Sequence, residues 1–172
     1  TYEGMAAAEF MNAIGFDAMT LGNHEFNLGP AKLASFVEEL EFPVVAGSLD
    51  LSQSEELGGL VQDTLVLEVG GARIGIVSAL ASDTPELSSP GPNVIFTDEV
   101  DAVAADVATL TEQGVTKIVA LTHVGLPTDT EIATVPGVDA VVGGHSHTYL
   151  SASDPDRDGA YPTMVSQEDG TM

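Results

Sequence analysis

Leu121-Thr122-His123-Val124-Gly125, at the end of the apolar run Val115 to Leu121, and Gly143-Gly144-His145-Ser146-His147-Thr148, at the end of Val138 to Val142, are the stretches whose reading decides the fold. Each run is short and mostly β-branched or apolar, as a buried strand should be. Each delivers histidine and glycine at its exit. In open α/β sheets ligands bind just outside the carboxyl ends of strands, so both the fold class and the place of the chemistry are predicted together.

Working outward, the residues before Val115 read as a helix. Thr97 is a suitable N-cap, Asp98 and Glu99 occupy the first turn, and the helix runs to Gln113 with Gly114 closing it. Further upstream, Val61 to Val69 and Ala72 to Ala79 flank Gly70-Gly71 and predict a β-hairpin. Ser82 to Asn93 holds three prolines and reads as a loop, as does the polar, Gly-containing stretch Leu49 to Leu60. Pro43 to Gly47 and Asp17 to Leu21 predict two further short strands. Pro30 suits a first helical position, with Leu33, Phe36, Val37 and Leu40 on one face. Ala6 to Ile14 predicts a short helix with Phe10 and Ile14 four apart, Met11 beside them, and Gly15 as its end. Strand–helix alternation with an inserted hairpin gives an α/β fold with a mixed sheet.

Composition bounds the function. The chain has 172 residues, one domain or a large piece of one, with 4 Lys plus Arg against 27 Asp plus Glu and a net charge of −23. Four cations cannot neutralise a phosphate track, so nucleic-acid binding through a basic surface is excluded, and anionic membranes would repel the chain. No run of about 18 apolar residues is present, so membrane insertion is not expected. The hydrophobic fraction of 44% is enough for a real core. So large an acidic excess predicts adaptation to high salt, where screening removes the self-repulsion. There is no cysteine, hence no disulfide and no thiolate chemistry. The opening Thr1-Tyr2-Glu3 carries no signal-peptide pattern and reads as a cut end.

All four histidines fall in the predicted strand-exit loops: His24 in Gly22-Asn23-His24-Glu25, His123, His145 and His147. Singly, His123 reads as a hydrogen-bonded loop residue, and Asn23 beside His24 as a turn. His145-x-His147 is a stronger metal signal because the flanking glycines allow close approach of backbone and ion. Together, four imidazoles at the carboxyl ends of strands would make a divalent metal site without cysteine. Asp154-Pro155-Asp156-Arg157-Asp158-Gly159 opens like a calcium loop, but the twelfth position is Val165 where a Glu should be, and an acidic turn explains it equally.

Gly22-Asn23-His24-Glu25-Phe26, Thr122-His123-Val124-Gly125 and Gly143-Gly144-His145-Ser146-His147-Thr148, in this order, resemble the successive motifs of the 5′-nucleotidase branch of the calcineurin-like metallophosphoesterases. The similarity runs from near Tyr2 to near Gly170. It includes Met11-Asn12 and Tyr161-Pro162. The resemblance implies a four-layer α/β/β/α sandwich with mixed sheets. It implies two divalent metal ions, most often Zn²⁺ or Mn²⁺ and otherwise Mg²⁺ or Co²⁺, bridged by a carboxylate and a hydroxide. By motif, Asn23, His123 and His145 would ligate the second metal and His147 would reach the first. His24 would donate to the phosphate and help the leaving oxygen. Such cations would set the local field and let an acidic protein bind an anionic nucleotide or other phosphate ester. A periplasmic, cell-surface or secreted location follows from the same resemblance.

Two departures qualify it. The family's first metal also takes an Asp-x-His pair and a Gly-Asp aspartate, and neither motif occurs in the chain. Residues 1–172 therefore read as part of a catalytic domain lacking its N-terminal strands, with at most a partial metal site, low or no activity of its own, and no C-terminal nucleoside-binding domain. Sheet edges left uncovered would invite dimerisation. The second departure is Asn27, where the family usually has an Asp paired with the catalytic His. Asn keeps shape and hydrogen bonding but brings no negative charge, and slower turnover of the parent enzyme is expected. A related sulfohydrolase on the same scaffold, or a non-catalytic module with a partial site, are the alternative readings.

Overall fold

The structure, a computed structural model, describes residues 4–167 and residue 170. The start of the family resemblance near Tyr2 lies outside them. In chain order the elements are α1 (Met5–Ile14), β1 (Met19–Thr20), a 3-10 turn (Asn23–Phe26), α2 (Pro30–Glu38), β2 (Val44–Val45), β3 (Leu49–Asp50), β4 (Leu65–Val69), β5 (Ala72–Leu80), α3 (Thr84–Leu87), β6 (Ile95–Phe96), α4 (Glu99–Glu112), β7 (Ile118–His123), α5 (Leu126–Ile132), β8 (Ala140–Val142), β9 (Leu150–Ser151) and β10 (Gly159–Ala160).

The main sheet has the order β4-β5-β7-β8. β4 and β5 are antiparallel, joined at Gly70 and Gly71, whose φ angles of 59° and 81° are the positive pair that a two-residue hairpin turn needs. β7 and β8 join in parallel, so the sheet is mixed. A second, two-stranded parallel pair is formed by β1 and β2. The alternation of β5 divides the core. Val77 and Ala79 belong to one cluster with Val103, Val107 and Leu110 of α4, while Leu80 belongs to the other with Leu21, Phe26, Leu33 and Val44. Gly75 lets α4 ride close over the sheet, since a Cβ there would stand 2.7 Å from Leu110 Cδ1. The layers thus run from α1 and α2, through the β1–β2 pair, to the main sheet, to α4 and α5, as the resemblance implies.

Local readings changed in four places. Phe10 and Ile14 of α1 are 68% and 59% exposed, and the helix instead buries Ala8 and packs Met11. α4 is capped by Asp98, whose Oδ1 accepts from Val100 N and Asp101 N, because the Thr97 hydroxyl is committed to the Ser48 carbonyl 2.9 Å away. The expected loops contain β3, which pairs with β6, and the single turn α3. Finally, α5 lies where no element was expected. β8 is an outer strand with Val142 56% exposed. Among the described residues no helix is long and apolar enough to cross a membrane.

Candidate metal centre

β7 places the first histidine by its pleat. Ile118, Ala120 and Thr122 are buried on one side, where the Thr122 hydroxyl donates to Asp129 Oδ1 of α5 at 2.5 Å. The next residue, His123, must project to the opposite face. There it meets Asn23, which opens the 3-10 turn and is only 5% exposed. Glu25 closes that turn by accepting from Gly22 N at 2.7 Å. His123 Nε2 stands 3.0 Å from Asn23 Oδ1, and His145 Nδ1, from the loop after β8, stands 3.3 Å from the same oxygen. The two imidazoles lie edge to face, centroids 5.1 Å apart. Three chain segments, with His123 and His145 100 and 122 residues from Asn23 in sequence, therefore bring two imidazole nitrogens to one carboxamide oxygen.

The glycines explain why the motifs need them. A Cβ on Gly22 or Gly144 would stand 3.1 Å from the His123 ring, and one on Gly143 would collide with the Asp129 carboxylate. The 143–148 loop is held by Gly125 N donating to Gly144 O at 3.0 Å and by Leu126 N donating to Ser146 Oγ at 3.1 Å. Within it His145 and His147 adopt φ angles of 83° and 52°, a left-handed backbone uncommon for non-glycine residues.

Burial, then the neighbouring His145, pushes the His123 pKa down; Glu25 opposes, and His24 and His147 add to the depression. All four imidazoles thus share one electrostatic neighbourhood. The neutral ring so favoured is the form that ligates a metal. Asp129, pressed under Gly143, has its pKa raised by burial, partly offset by the Thr122 hydroxyl. His24 and His147 are both exposed. Among the described residues no three or more His, Cys, Asp or Glu side chains form a group able to hold an ion. The converging set is His123, His145 and the neutral Asn23; His147 and any carboxylate stay outside it. Two imidazoles and an amide oxygen fit a divalent cation of borderline softness as part of a coordination shell.

His24 Nδ1 lies 3.1 Å from Asn27 Nδ2, and Asn27 Oδ1 accepts from the Ser88 hydroxyl at 2.9 Å. Ser88 was not anticipated, because it lies 61 residues away in what read as a proline loop. The 154–159 segment is an acidic turn closed on itself: Tyr149 donates from its hydroxyl to Asp154 and from its backbone to Asp158, each at 2.8 Å. A groove of about 710 Å³ runs from His145 and His147 along β8 to Tyr161 and Met164.

Comparison with known proteins follows the same lines. The profile of the family described as Calcineurin-like phosphoesterase matches residues 3–149. The chain is 44% identical to a 5′-nucleotidase from Diplobatis ommata, over 98% of the chain and 30% of that protein. The 5′-nucleotidase precursor from Thermus thermophilus superimposes with a TM-score of 0.95 at 42% identity, covering 99% of this chain and 34% of that one. An NAD nucleotidase from Haemophilus influenzae gives 0.91 at 32% identity, covering 98% and 35%. The chain spans about a third of the length of these proteins.

Proposed function

The chain belongs to the calcineurin-like phosphoesterases, and from that premise we propose that its parent protein is a divalent-metal-dependent phosphomonoesterase acting on 5′-nucleotides or related phosphate esters. The observation that carries this reading is the meeting of His123 and His145 on the Asn23 carboxamide. Asn23, His123 and His145 hold one divalent ion, with His147 reaching toward a second. When bound, the ions supply Lewis-acid polarisation of the phosphoryl group and activation of water. Burial favours the neutral, ligating form of His123. His24 stands exposed beside Asn23 and donates a hydrogen bond to the phosphate, with Asn27 behind it fixing the ring. Residues 1–172 form part of the catalytic domain, and chain outside them carries the remaining ligands and the nucleoside-binding domain. The isolated chain accordingly has low or no turnover. The parent works in the periplasm, at the cell surface or outside the cell.

The test assays the chain and a longer form carrying its flanking sequence, each loaded with Mn²⁺ or Zn²⁺, against AMP, other nucleotides and sulfur esters. The longer form should hydrolyse AMP and lose that activity in EDTA. The short chain should bind Mn²⁺ weakly by calorimetry, and His123→Ala or His145→Ala should abolish the binding. Turnover of sulfur esters without AMP hydrolysis would transfer the protein to the sulfohydrolase reading. No turnover of any ester by the loaded longer form would leave a binding module.

A further inference from the structure

β8 runs out before the metal cluster is reached. Its last ladder pair with β7 is Leu121 with Val142, whereas β7 continues to His123, paired on its other side to β5. The loop that carries His145 therefore leaves the sheet at Gly143, and no further ladder pair ties it to the strand that carries His123. Nor does the loop hold itself in place, since His145 takes a φ of 83°, uncommon for a non-glycine residue. What stands against Gly143 is Asp129. Its Oδ1 accepts from the Thr122 hydroxyl at 2.5 Å, and its Oδ2 fills the space that a Cβ on Gly143 would need. Thr122 is buried and immediately precedes His123. α5, which carries Asp129, is anchored by the fully buried Ile132 in the core cluster with Val103 and Val107. One carboxyl group thus touches the residue before one imidazole and the residue two before the other.

We infer that Asp129 is a positioning residue: by bracing Gly143 against Thr122, it sets where His145 stands relative to His123 and Asn23. The role is one of shape and hydrogen bonding, not of charge. Asparagine at this position keeps an oxygen for the Thr122 hydroxyl and fills the same space, so it preserves the brace. Alanine removes both contacts. That the braced cluster holds a divalent ion rests on the function proposed above; the brace itself does not.

The decisive experiment is proton NMR of the full chain in EDTA, reading the nuclear Overhauser cross-peak between the carbon-bound ring protons of His123 and His145, whose ring centroids lie 5.1 Å apart. His123→Ala and His145→Ala assign the signals. Wild type should show the cross-peak, Asp129→Ala should lose it, and Asp129→Asn should keep it. Thr122→Val, which removes the hydroxyl without opening a cavity, should weaken it. Leu110→Val controls for lost stability alone and should keep it, because Leu110 packs over Gly75, which pairs with Ile118 at the start of β7. Mn²⁺ titrated into the same proteins by calorimetry should bind about ten-fold more weakly to Asp129→Ala, at the low end of what losing a metal site's supporting contacts costs, and unchanged to Asp129→Asn. A wild-type spectrum without the cross-peak, or its retention in Asp129→Ala, overturns the inference. So does its loss in Leu110→Val, which would make the ring contact a follower of general stability. Mn²⁺ binding weakened equally by Asn and Ala would assign the effect to charge and overturn it too. If Asp129→Ala does not fold, Thr122→Val decides, and an unchanged cross-peak there overturns the brace. The spectra need no metal, so failure of the phosphomonoesterase reading is seen separately, as a wild type that shows the cross-peak and binds no Mn²⁺.

Discussion

Asn27 concentrates the residue-scale question, because one atom decides what His24 can be offered. A carboxylate there would favour the positively charged form of the ring, whereas the amide supplies only a hydrogen bond. Asn27→Asp in the longer form should therefore raise kcat on AMP, by about ten-fold, a fraction of what general acid–base groups typically contribute. No gain in kcat would show that charge at this position is irrelevant here. Gly143 makes a steric prediction. Its missing Cβ is the room in which the Asp129 carboxylate sits, itself anchored by Thr122. Gly143→Ala must push the carboxylate off that hydroxyl or lift the loop carrying His145 and His147. The cost should be about 1–3 kcal/mol, read as a lower thermal midpoint together with weaker Mn²⁺ binding. An unchanged midpoint would mean that the loop yields freely. The converging trio Asn23, His123 and His145 was legible in the sequence because each lies within a short motif at a strand exit. Ser88 was not, because its role depends on a partner 61 residues away.

Elements were legible in proportion to how much of their cause is local. The β4–β5 hairpin is set by Gly70-Gly71 and by apolar runs on either side, and α4 by its acidic first turn and Gly114, so both were foreseen, with the α4 N-cap displaced by one residue to Asp98. β3 forms only because β6 arrives beside it from 45 residues on, and α3 only because the buried Thr84 closes it, so both fell inside expected loops. α5 has one buried residue, Ile132, too little for a helical period to register. α4 carries the element-scale prediction. It presses Asp106 against the Gly47 backbone, where Oδ2 is buried without a hydrogen-bond partner. Burial, and to a lesser degree Asp63, push this carboxyl up from 3.8 to about 7. The folded state thus keeps a proton that the unfolded chain releases at much lower pH. Its contribution to stability is fully present below the unfolded pKa, declines as pH rises, and is lost above about 7. Asp106→Asn mimics the protonated carboxyl at every pH. The difference in urea midpoint between variant and wild type should be small at pH 4 and grow toward pH 8 in favour of the variant. Parallel midpoint curves would show that the carboxyl is solvated in its charged form.

At the scale of the whole molecule the net charge of −23 must be reconciled with a folded α/β core. Both arginines spend donors on backbone carbonyls: Arg73 donates to the Gln113 carbonyl, and Arg157 to the carbonyls of Ala152 and Asp154. Acidic side chains are exposed on separate elements, among them Glu9 on α1, Asp101 and Glu112 on α4, and Asp156 and Asp158 on the acidic turn. Their mutual repulsion is therefore long-ranged and spread over the surface, the kind that salt screens. The Debye length falls from about 10 Å at 0.1 M salt to about 3 Å at 1 M. Repulsion between neighbouring elements should then largely vanish, while the unfolded chain, with its charges farther apart, gains less. Molar KCl should raise the thermal midpoint by roughly 5 °C or more, equivalent to a gain of about 2 kcal/mol for a chain of this size. Measuring in EDTA removes any share due to contaminating divalent ions at the Asn23–His123–His145 cluster. A control that replaces exposed Asp101, Glu112, Asp156 and Asp158 by Asn or Gln should already be stabilised at low salt and should rise less with KCl. If instead the wild-type midpoint is the same in dilute buffer and in molar KCl, the acidic surface costs the fold nothing, and salt adaptation is not its cause.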